Sequence, residues 1–90
     1  MKLEIEEVIS IAGEKYIVLE TEIYNEKEYY FMNKLTQEEE PTEQYHIFSP
    51  KGENELEAVS NNDTVTVLIP IFQNKLAQRI KENFRGDIIE

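Results

Sequence analysis

Residues 35–45, LTQEEEPTEQY, contain four glutamates and no basic residue. Carboxylates this close in sequence can bind a hard cation or extend an acidic surface. Calcium needs about six to eight oxygen ligands, supplied by a sharply turning loop. This stretch has neither glycine nor aspartate, and its spacing does not match an EF-hand loop. We therefore expect no metal site here, and we expect these carboxylates to form the rim of an acidic surface. The four residues are Glu38, Glu39, Glu40 and Glu43.

Acid–base catalysis has few candidate residues in this chain. His46 is the sole histidine, and there is no cysteine. A general base needs an orienting partner and a group to activate, and none of the serines lies in a nucleophile-elbow motif. The three glycines are scattered, so no phosphate-binding loop is present. We expect a protein that is not an enzyme and that binds neither a cofactor nor a metal.

Further acidic residues alternate with apolar ones in the stretches that read as strands. Residues two apart in a strand lie about 6.6 Å apart on one face, and neighbouring strands lie about 4.8 Å apart. If a helix covers the opposite face, the carboxylates of three strands form an acidic face that is open to solvent. This predicted acidic face carries Glu4, Glu6, Glu20, Glu22, Glu28 and Tyr30.

The net charge of −10 arises from 19 acids and 9 bases, which are unevenly distributed. Residues 1–63 hold 16 acids and 5 bases, whereas residues 64–90 hold 3 acids and 4 bases. Phosphates would be repelled, so direct binding to nucleic acid or to an anionic membrane is disfavoured. The same electrostatic argument favours a basic protein as the partner.

The elements that would position these residues are strands in residues 1–59. Apolar residues recur with a period of two, and turn residues separate the runs. In the first run the alternation is disturbed near residue 7, where a bulge would fit. The acidic loop (residues 36–43) has no apolar residue apart from Pro41. The predicted strands are residues 3–11, 15–23, 28–35, 44–49 and 55–59.

A single amphipathic helix is predicted for residues 60–86. Leu68, Phe72, Leu76, Ile80 and Phe84 recur at every fourth position, and Gly86 suits the position after a helix end. Residues 87–90 would form a tail.

Residues 64–69 have two interpretations. The helix could begin at Pro70, which would leave residues 64–67 as a strand. It could instead begin near Asp63, which would put Pro70 inside the helix and kink it. The apolar face formed with Val65 favours the earlier start.

Four bases cluster on this helix, at Lys75, Arg79, Lys81 and Arg85. Cations are favoured near a helix C-terminus by the helix dipole. A solvated basic face is therefore the simplest interpretation, and pairing with carboxylates of the sheet is the alternative.

Together these elements predict one α+β domain over residues 1–90. Short connections favour pairing of neighbouring strands, so the sheet should be an antiparallel meander of five strands with the helix on one face. An exposed sheet edge could also pair two copies into a homodimer. The chain has no cysteine, and its N-terminus has no apolar signal segment, which fits a cytoplasmic protein.

Four segments give the chain a resemblance to known proteins. They are GEKYIVLE, EYYFM, ELEAVSNND and the helix IFQNKLAQRIKENF. In these the chain resembles a loose group of small acidic proteins of unknown function from low-GC bacteria and their mobile elements. Its size and acidity are also similar to those of anti-CRISPR and anti-restriction proteins, several of which mimic nucleic acid. That resemblance implies an inhibitor that binds a nucleic-acid-binding protein through carboxylates that stand in for phosphates.

Two functions remain open at this point. The first is a non-catalytic inhibitor or adaptor that binds a basic, nucleic-acid-binding protein through the predicted acidic face and the acidic loop. The second is a small housekeeping or scaffold protein whose acidity serves solubility alone.

Overall fold

Five antiparallel strands and one helix make up the computed structural model, which describes the backbone of residues 2–88 and the side chains of residues 2–81. The predicted α+β class is confirmed. The elements are β1 (Val8–Ile11), β2 (Glu14–Tyr24), β3 (Lys27–Leu35), β4 (Pro41–Lys51), β5 (Glu55–Ala58) and α1 (Asn62–Ile88).

The strands are ordered β1-β2-β3-β4-β5 in a curled sheet, which confirms the predicted meander. Two-residue turns join the first three strands. Ala12 and Gly13 have φ of 51° and 82°, and Asn25 and Glu26 have φ of 52° and 63°. Positive φ at both turn positions gives a twist that matches that of paired strands, so these turns fix the register of both hairpins.

Several strand boundaries differ from the prediction by one or two residues, and two strand starts differ by three or more. The first strand begins at Val8, because residues 5–6 form a turn in which Glu6 has φ of 76°. The fourth strand begins at Pro41, so residues 41–43 of the acidic loop belong to β4. Proline fits the first position of a strand because no ladder hydrogen bond is required of it there.

A break in the β3–β4 ladder is repaired by a side chain. The register shifts between Asn33 and Leu35, which leaves two extra residues on β4. Asn33 is buried, and its Nδ2 donates to the carbonyl oxygens of Thr42 at 2.8 Å and Gln44 at 3.0 Å. These bonds satisfy carbonyl groups that the interrupted ladder would otherwise leave unpaired.

Apolar side chains are buried on both faces of the sheet. The sheet curls around those on its concave face, and the helix covers those on its convex face. The inner core, on the concave face, contains Leu3, Tyr16, Val18, Tyr30, Met32 and Phe48. The outer core, between the sheet and α1, contains Tyr29, Phe31, Ile47, Leu68 and Phe72.

The helix takes the earlier of the two predicted starts. Asn61 caps it, since its Oδ1 accepts a hydrogen bond from the N–H of Thr64 at 3.1 Å. Pro70 lies inside α1 on an exposed side, where water can hydrate the carbonyl group that its missing N–H leaves free. The helix continues to Ile88, so the prediction that it ends at Gly86 is wrong. The rest of the predicted tail, residues 89–90, lies outside the described residues.

Among the described side chains of the predicted apolar stripe, burial decreases along the helix. Leu68 and Phe72 are completely buried, and the Phe72 ring stacks on Phe31 with a centroid distance of 5.3 Å. Leu76 is half-buried, whereas Ile80 is 54% exposed. Phe84 lies outside the residues whose side chains are described.

Candidate protein-binding surface

The predicted acidic face is divided by a bulge in β2. Val18 pairs with Met32, but Glu20 pairs with Phe31, so Leu19 is an extra residue in the strand. Strand side chains alternate between faces, and one extra residue moves every later side chain to the other face. Glu20 and Glu22 therefore face the helix, and the prediction that they lie on an open face is wrong.

Both carboxylates form ion pairs with the helix. Glu20 is 2% exposed, and its Oε2 accepts a hydrogen bond from Nε of Arg79 at 2.8 Å and a second from Nη2. Lys75 Nζ lies 2.5 Å from Glu22 Oε1 and donates to the carbonyl oxygen of Thr21 at 2.7 Å. We call these two pairs the ion-pair clamp. These pairs attach α1 to β2. Lys75 and Arg79 thus follow the alternative interpretation of the helix bases, in which they pair with carboxylates of the sheet.

A polar cleft of about 450 Å³ lies beside the ion-pair clamp. Besides clamp residues, its walls contain Ile5, Thr21, Asn74 and Gln78. The carboxylate of Glu20 already has two donors from Arg79, so its charge is balanced within the fold. The cleft thus belongs to the helix–sheet junction.

Tyr30 and Glu28 are also not arranged as predicted. Tyr30 is 1% exposed and lies in the inner core. Its hydroxyl donates to Oε2 of Glu28 at 2.5 Å and accepts from the N–H of Leu3 at 3.4 Å. Burial is the main cause that raises the pKa of Tyr30 above 10.0, and the hydrogen bond to Glu28 raises it further. Tyr30 therefore holds the N-terminal segment against the core and is not available to a partner.

Glu4 and Glu6 are exposed, as predicted, but they lie before β1 and not on the face of a strand. The backbone at this point is fixed to the middle of β2, because the N–H of Glu6 donates to the carbonyl oxygen of Val18 at 2.7 Å. The N–H of Val18 in turn donates to the carbonyl oxygen of Glu7 at 2.9 Å. The two carboxylates thus occupy a defined place beside β2.

The acidic loop presents three of its glutamates from a hydrogen-bonded turn and the fourth, Glu43, from the start of β4. Glu38, Glu39, Glu40 and Glu43 are all exposed. The N–H of Glu40 donates to Oγ1 of Thr36 at 3.1 Å, and the N–H of Thr36 donates to the carbonyl oxygen of Glu40 at 2.9 Å. From β2, Lys15 Nζ donates to the carbonyl oxygen of Gln37 at 3.0 Å and lies 3.3 Å from Glu39 Oε2. Local and long-range bonds together fix the position of this loop.

The exposed glutamates of the two segments flank the first half of β2. The N-terminal segment is bonded at Val18, and the acidic loop is bonded at Lys15. Three strand residues span about 10 Å, which is about one Debye length at 0.1 M salt. The anchor points of the two acidic segments thus lie within about one Debye length along β2, and we call the exposed glutamates of both segments the acidic docking surface. Its residues are Glu4, Glu6, Glu38, Glu39, Glu40 and Glu43.

A second group of exposed acids was not included among the predicted site residues. Glu53, Glu55 and Glu57 lie in and before β5, and within residues 2–81 none of them forms an ion pair. The alternation Glu55-Leu56-Glu57 is the sequence signal for this group. It places both acids on one face of a short strand, with Leu56 against the inner core.

Neither a metal-binding cluster nor a histidine-based site is found in the described part of the chain. No group of three or more His, Asp or Glu side chains in it could hold a metal ion. His46 is exposed, and its ring packs edge-on against Tyr16 with a centroid distance of 5.9 Å. The described helix is too polar over its length to span a bilayer.

Comparison with known proteins gives no relative. No protein-family model matches the chain, and neither the curated proteins nor the solved structures contain a match.

Proposed function

We propose that this protein is a non-catalytic binding module that engages a basic, nucleic-acid-binding protein through the acidic docking surface. The observation that carries this proposal is the order of the acidic loop. Its carboxylates are exposed, and yet its backbone is fixed by Thr36 and by Lys15 from another strand. This arrangement supports a binding role, because it holds the carboxylates in one geometry that a partner can match.

A fixed loop reduces the entropic cost of binding. Ordering a flexible segment at an interface offsets part of the interaction energy, whereas a preorganised segment avoids that cost. Concentrated negative charge also steers a basic protein toward the surface and raises its association rate at low salt. Both effects favour a protein partner that presents lysine and arginine side chains.

An inhibitory role follows from the kind of surface that such a partner presents. Proteins that bind nucleic acid contact phosphates mainly through lysine and arginine. Carboxylates fixed in place can occupy those side chains and exclude the nucleic acid. The proposed activity is thus competition for a phosphate-binding surface.

The test uses two triple variants that remove the same charge. The loop triple is Glu38→Gln, Glu40→Gln and Glu43→Gln, and Glu39 is kept because it pairs with Lys15. The control triple is Glu26→Gln, Glu53→Gln and Asp63→Asn, all exposed and outside both the acidic docking surface and β5.

Each immobilised protein is incubated with nuclease-treated lysate and eluted with a salt gradient or with duplex DNA. We expect the native protein and the control triple to retain the same nucleic-acid-binding protein, which DNA displaces. The loop triple should lose it. If both triples behave alike, the acidity serves solubility and the proposal is wrong.

A further inference from the structure

The two edge strands of the sheet face one another across an open cleft. β1 and β5 lie at opposite ends of the strand order, yet both line a cleft of about 400 Å³. Between the described elements, β1 pairs with β2 alone and β5 pairs with β4 alone. The outer backbone groups of both strands therefore have no ladder partner within the described part of the chain. We call this opening the edge cleft.

We propose that the edge cleft binds an extended segment of a basic partner protein, which adds a sixth strand between β1 and β5. Peptides commonly bind exposed sheet edges in this way, with backbone hydrogen bonds giving affinity and side-chain pockets giving specificity. A segment between two free edges can form both ladders at once and close the curled sheet. This inference concerns elements other than the acidic docking surface, and it does not depend on that surface.

Side chains that point inward from the added strand meet an apolar wall. Ile9 and Ile11 from β1 and Leu56 from β5 pack partly buried against the inner core, and all three line the edge cleft with Leu3. A strand presents alternate residues to each face. Every second residue of the bound segment should therefore be apolar.

Side chains that point outward from the added strand meet negative charge. Glu55 and Glu57 are exposed and project from the other face of β5, opposite to Leu56. Ser10 projects in the same sense from β1 and is also exposed. Basic residues at the alternate positions of the segment complement these carboxylates, because opposite charges on neighbouring strands attract.

The same carboxylates select against a second copy of this chain. Charged residues on an edge strand discourage pairing with a like-charged edge. Two copies of β5 would bring four glutamates together, which is destabilising. The chemistry of the edge cleft thus favours a partner segment in which apolar and basic residues alternate.

Binding of a labelled probe peptide tests this proposal. The probe is fluorescein-GG-KVKVKV-amide, and affinity is measured by fluorescence anisotropy with the intact protein. Two control peptides carry N-methyl groups on the three valine amides or on the three lysine amides. Because successive amides of a strand point to opposite sides, each control removes the ladder on one side only.

We expect each control peptide to bind at least about tenfold more weakly than the probe, since each loses several backbone hydrogen bonds. If only one control is weakened, the peptide adds to a single edge and the proposed closure of the sheet is wrong. If neither is weakened, the attraction is purely electrostatic and the proposal fails entirely.

Protein variants and amide spectra locate the site. Glu55→Gln with Glu57→Gln should weaken probe binding severalfold, while the loop triple should leave it within about twofold, because only the former pair lies beside the added strand. Amide signals of residues 9–11 and 55–57 should shift and gain protection from exchange on binding. Shifts confined to residues 36–43 would instead assign the probe to the acidic docking surface and overturn this proposal, whatever the outcome of the lysate experiment.

Discussion

Replacing Arg79 with methionine should reveal how strongly the fold depends on the ion-pair clamp. Methionine keeps much of the apolar stem of arginine but removes its charge and its donors. The carboxylate of Glu20 is then left in a site where its side chain is 3% exposed. A buried charge without a partner is strongly destabilising, so the free energy of unfolding should fall.

The magnitude follows from the exposure of the two partners. Removing one member of a fully buried pair costs about 3–5 kcal/mol, and a hydrogen bond to a charged group contributes about 1.5–3 kcal/mol. The Arg79 side chain is 45% exposed, so water can enter and compensate part of the loss. We therefore expect a loss of about 2–3 kcal/mol, which corresponds to about 10–20 °C in Tm for a domain of this size.

The assay is urea unfolding followed by circular dichroism. The midpoint should fall while the dependence of the unfolding free energy on urea stays the same, which identifies a change in stability and not in the denatured state. Lys81→Met is the matched control, because Lys81 is an exposed base on the same helix. It should change stability by less than about 0.5 kcal/mol.

Replacing both members of the Arg79–Glu20 pair isolates the cost of the unpaired charge. Replacing the pair together, Glu20→Leu with Arg79→Met, should recover most of the loss, since apolar residues of similar size commonly replace a buried ion pair without cost. If Arg79→Met is no more destabilising than Lys81→Met, then Glu20 does not depend on its partner, and the ion-pair clamp does not fix the helix.

Three further substitutions test other parts of the fold. Burial and Glu28 raise the pKa of Tyr30 above 10.0, so its neutral form stabilises the fold below that pH, and this contribution is lost as the pH rises further. The Tyr30→Phe variant cannot lose this contribution. Between about pH 9 and 11 its unfolding free energy in urea should therefore fall less than that of the native protein. Asn33→Ala should lower the unfolding free energy by about 2 kcal/mol, because two part-buried hydrogen bonds from the Asn33 amide are lost. A Tm equal to that of the native protein would contradict the bridging role. Glu26→Gly should raise the unfolding free energy by about 0.5–1 kcal/mol in the same assay, because glycine adopts the φ of 63° at this position without strain. A fall in Tm would show that the turn between β2 and β3 is not strained.

The sheet itself could be predicted from the sequence because its signals are local. Alternation of apolar residues and the turn at Ala12-Gly13 specify neighbouring strands, and a meander pairs only neighbours. The helix start at Asn62 could also be predicted, since the apolar face formed by Val65 and Leu68 needs those residues in a helix. In each case the evidence lies within a few residues of the feature.

The faces of the residues after Leu19 could not be predicted from alternation alone. One extra residue reverses the orientation of Glu20 and Glu22, and a run such as IVLETEI gives no local sign of it. The curl of the sheet could not be predicted for a related reason. It depends on twist accumulated over five strands, and it buries Tyr30 of the predicted open face in the inner core.

A signal at longer range was nevertheless present in the sequence. Lys75 and Arg79 are four apart in a helix, which gives an axial separation of about 6 Å. Glu20 and Glu22 are two apart in a strand, which gives about 6.6 Å. The match allows both pairs to form when the helix runs antiparallel to β2, as Lys75–Glu22 and Arg79–Glu20 do.

The order of the strands has a consequence for synthesis on the ribosome. Each strand pairs with the one made just before it, so the sheet can assemble hairpin by hairpin as the chain emerges. The helix is made after the sheet and packs back on β2, where Glu20 lies 59 residues before Arg79. Until the helix emerges, the apolar side chains of Tyr29, Phe31 and Ile47 have no cover. Acidic residues concentrated in the first 63 positions keep such nascent chains apart through like-charge repulsion at the stage when their exposed surface is most prone to aggregate.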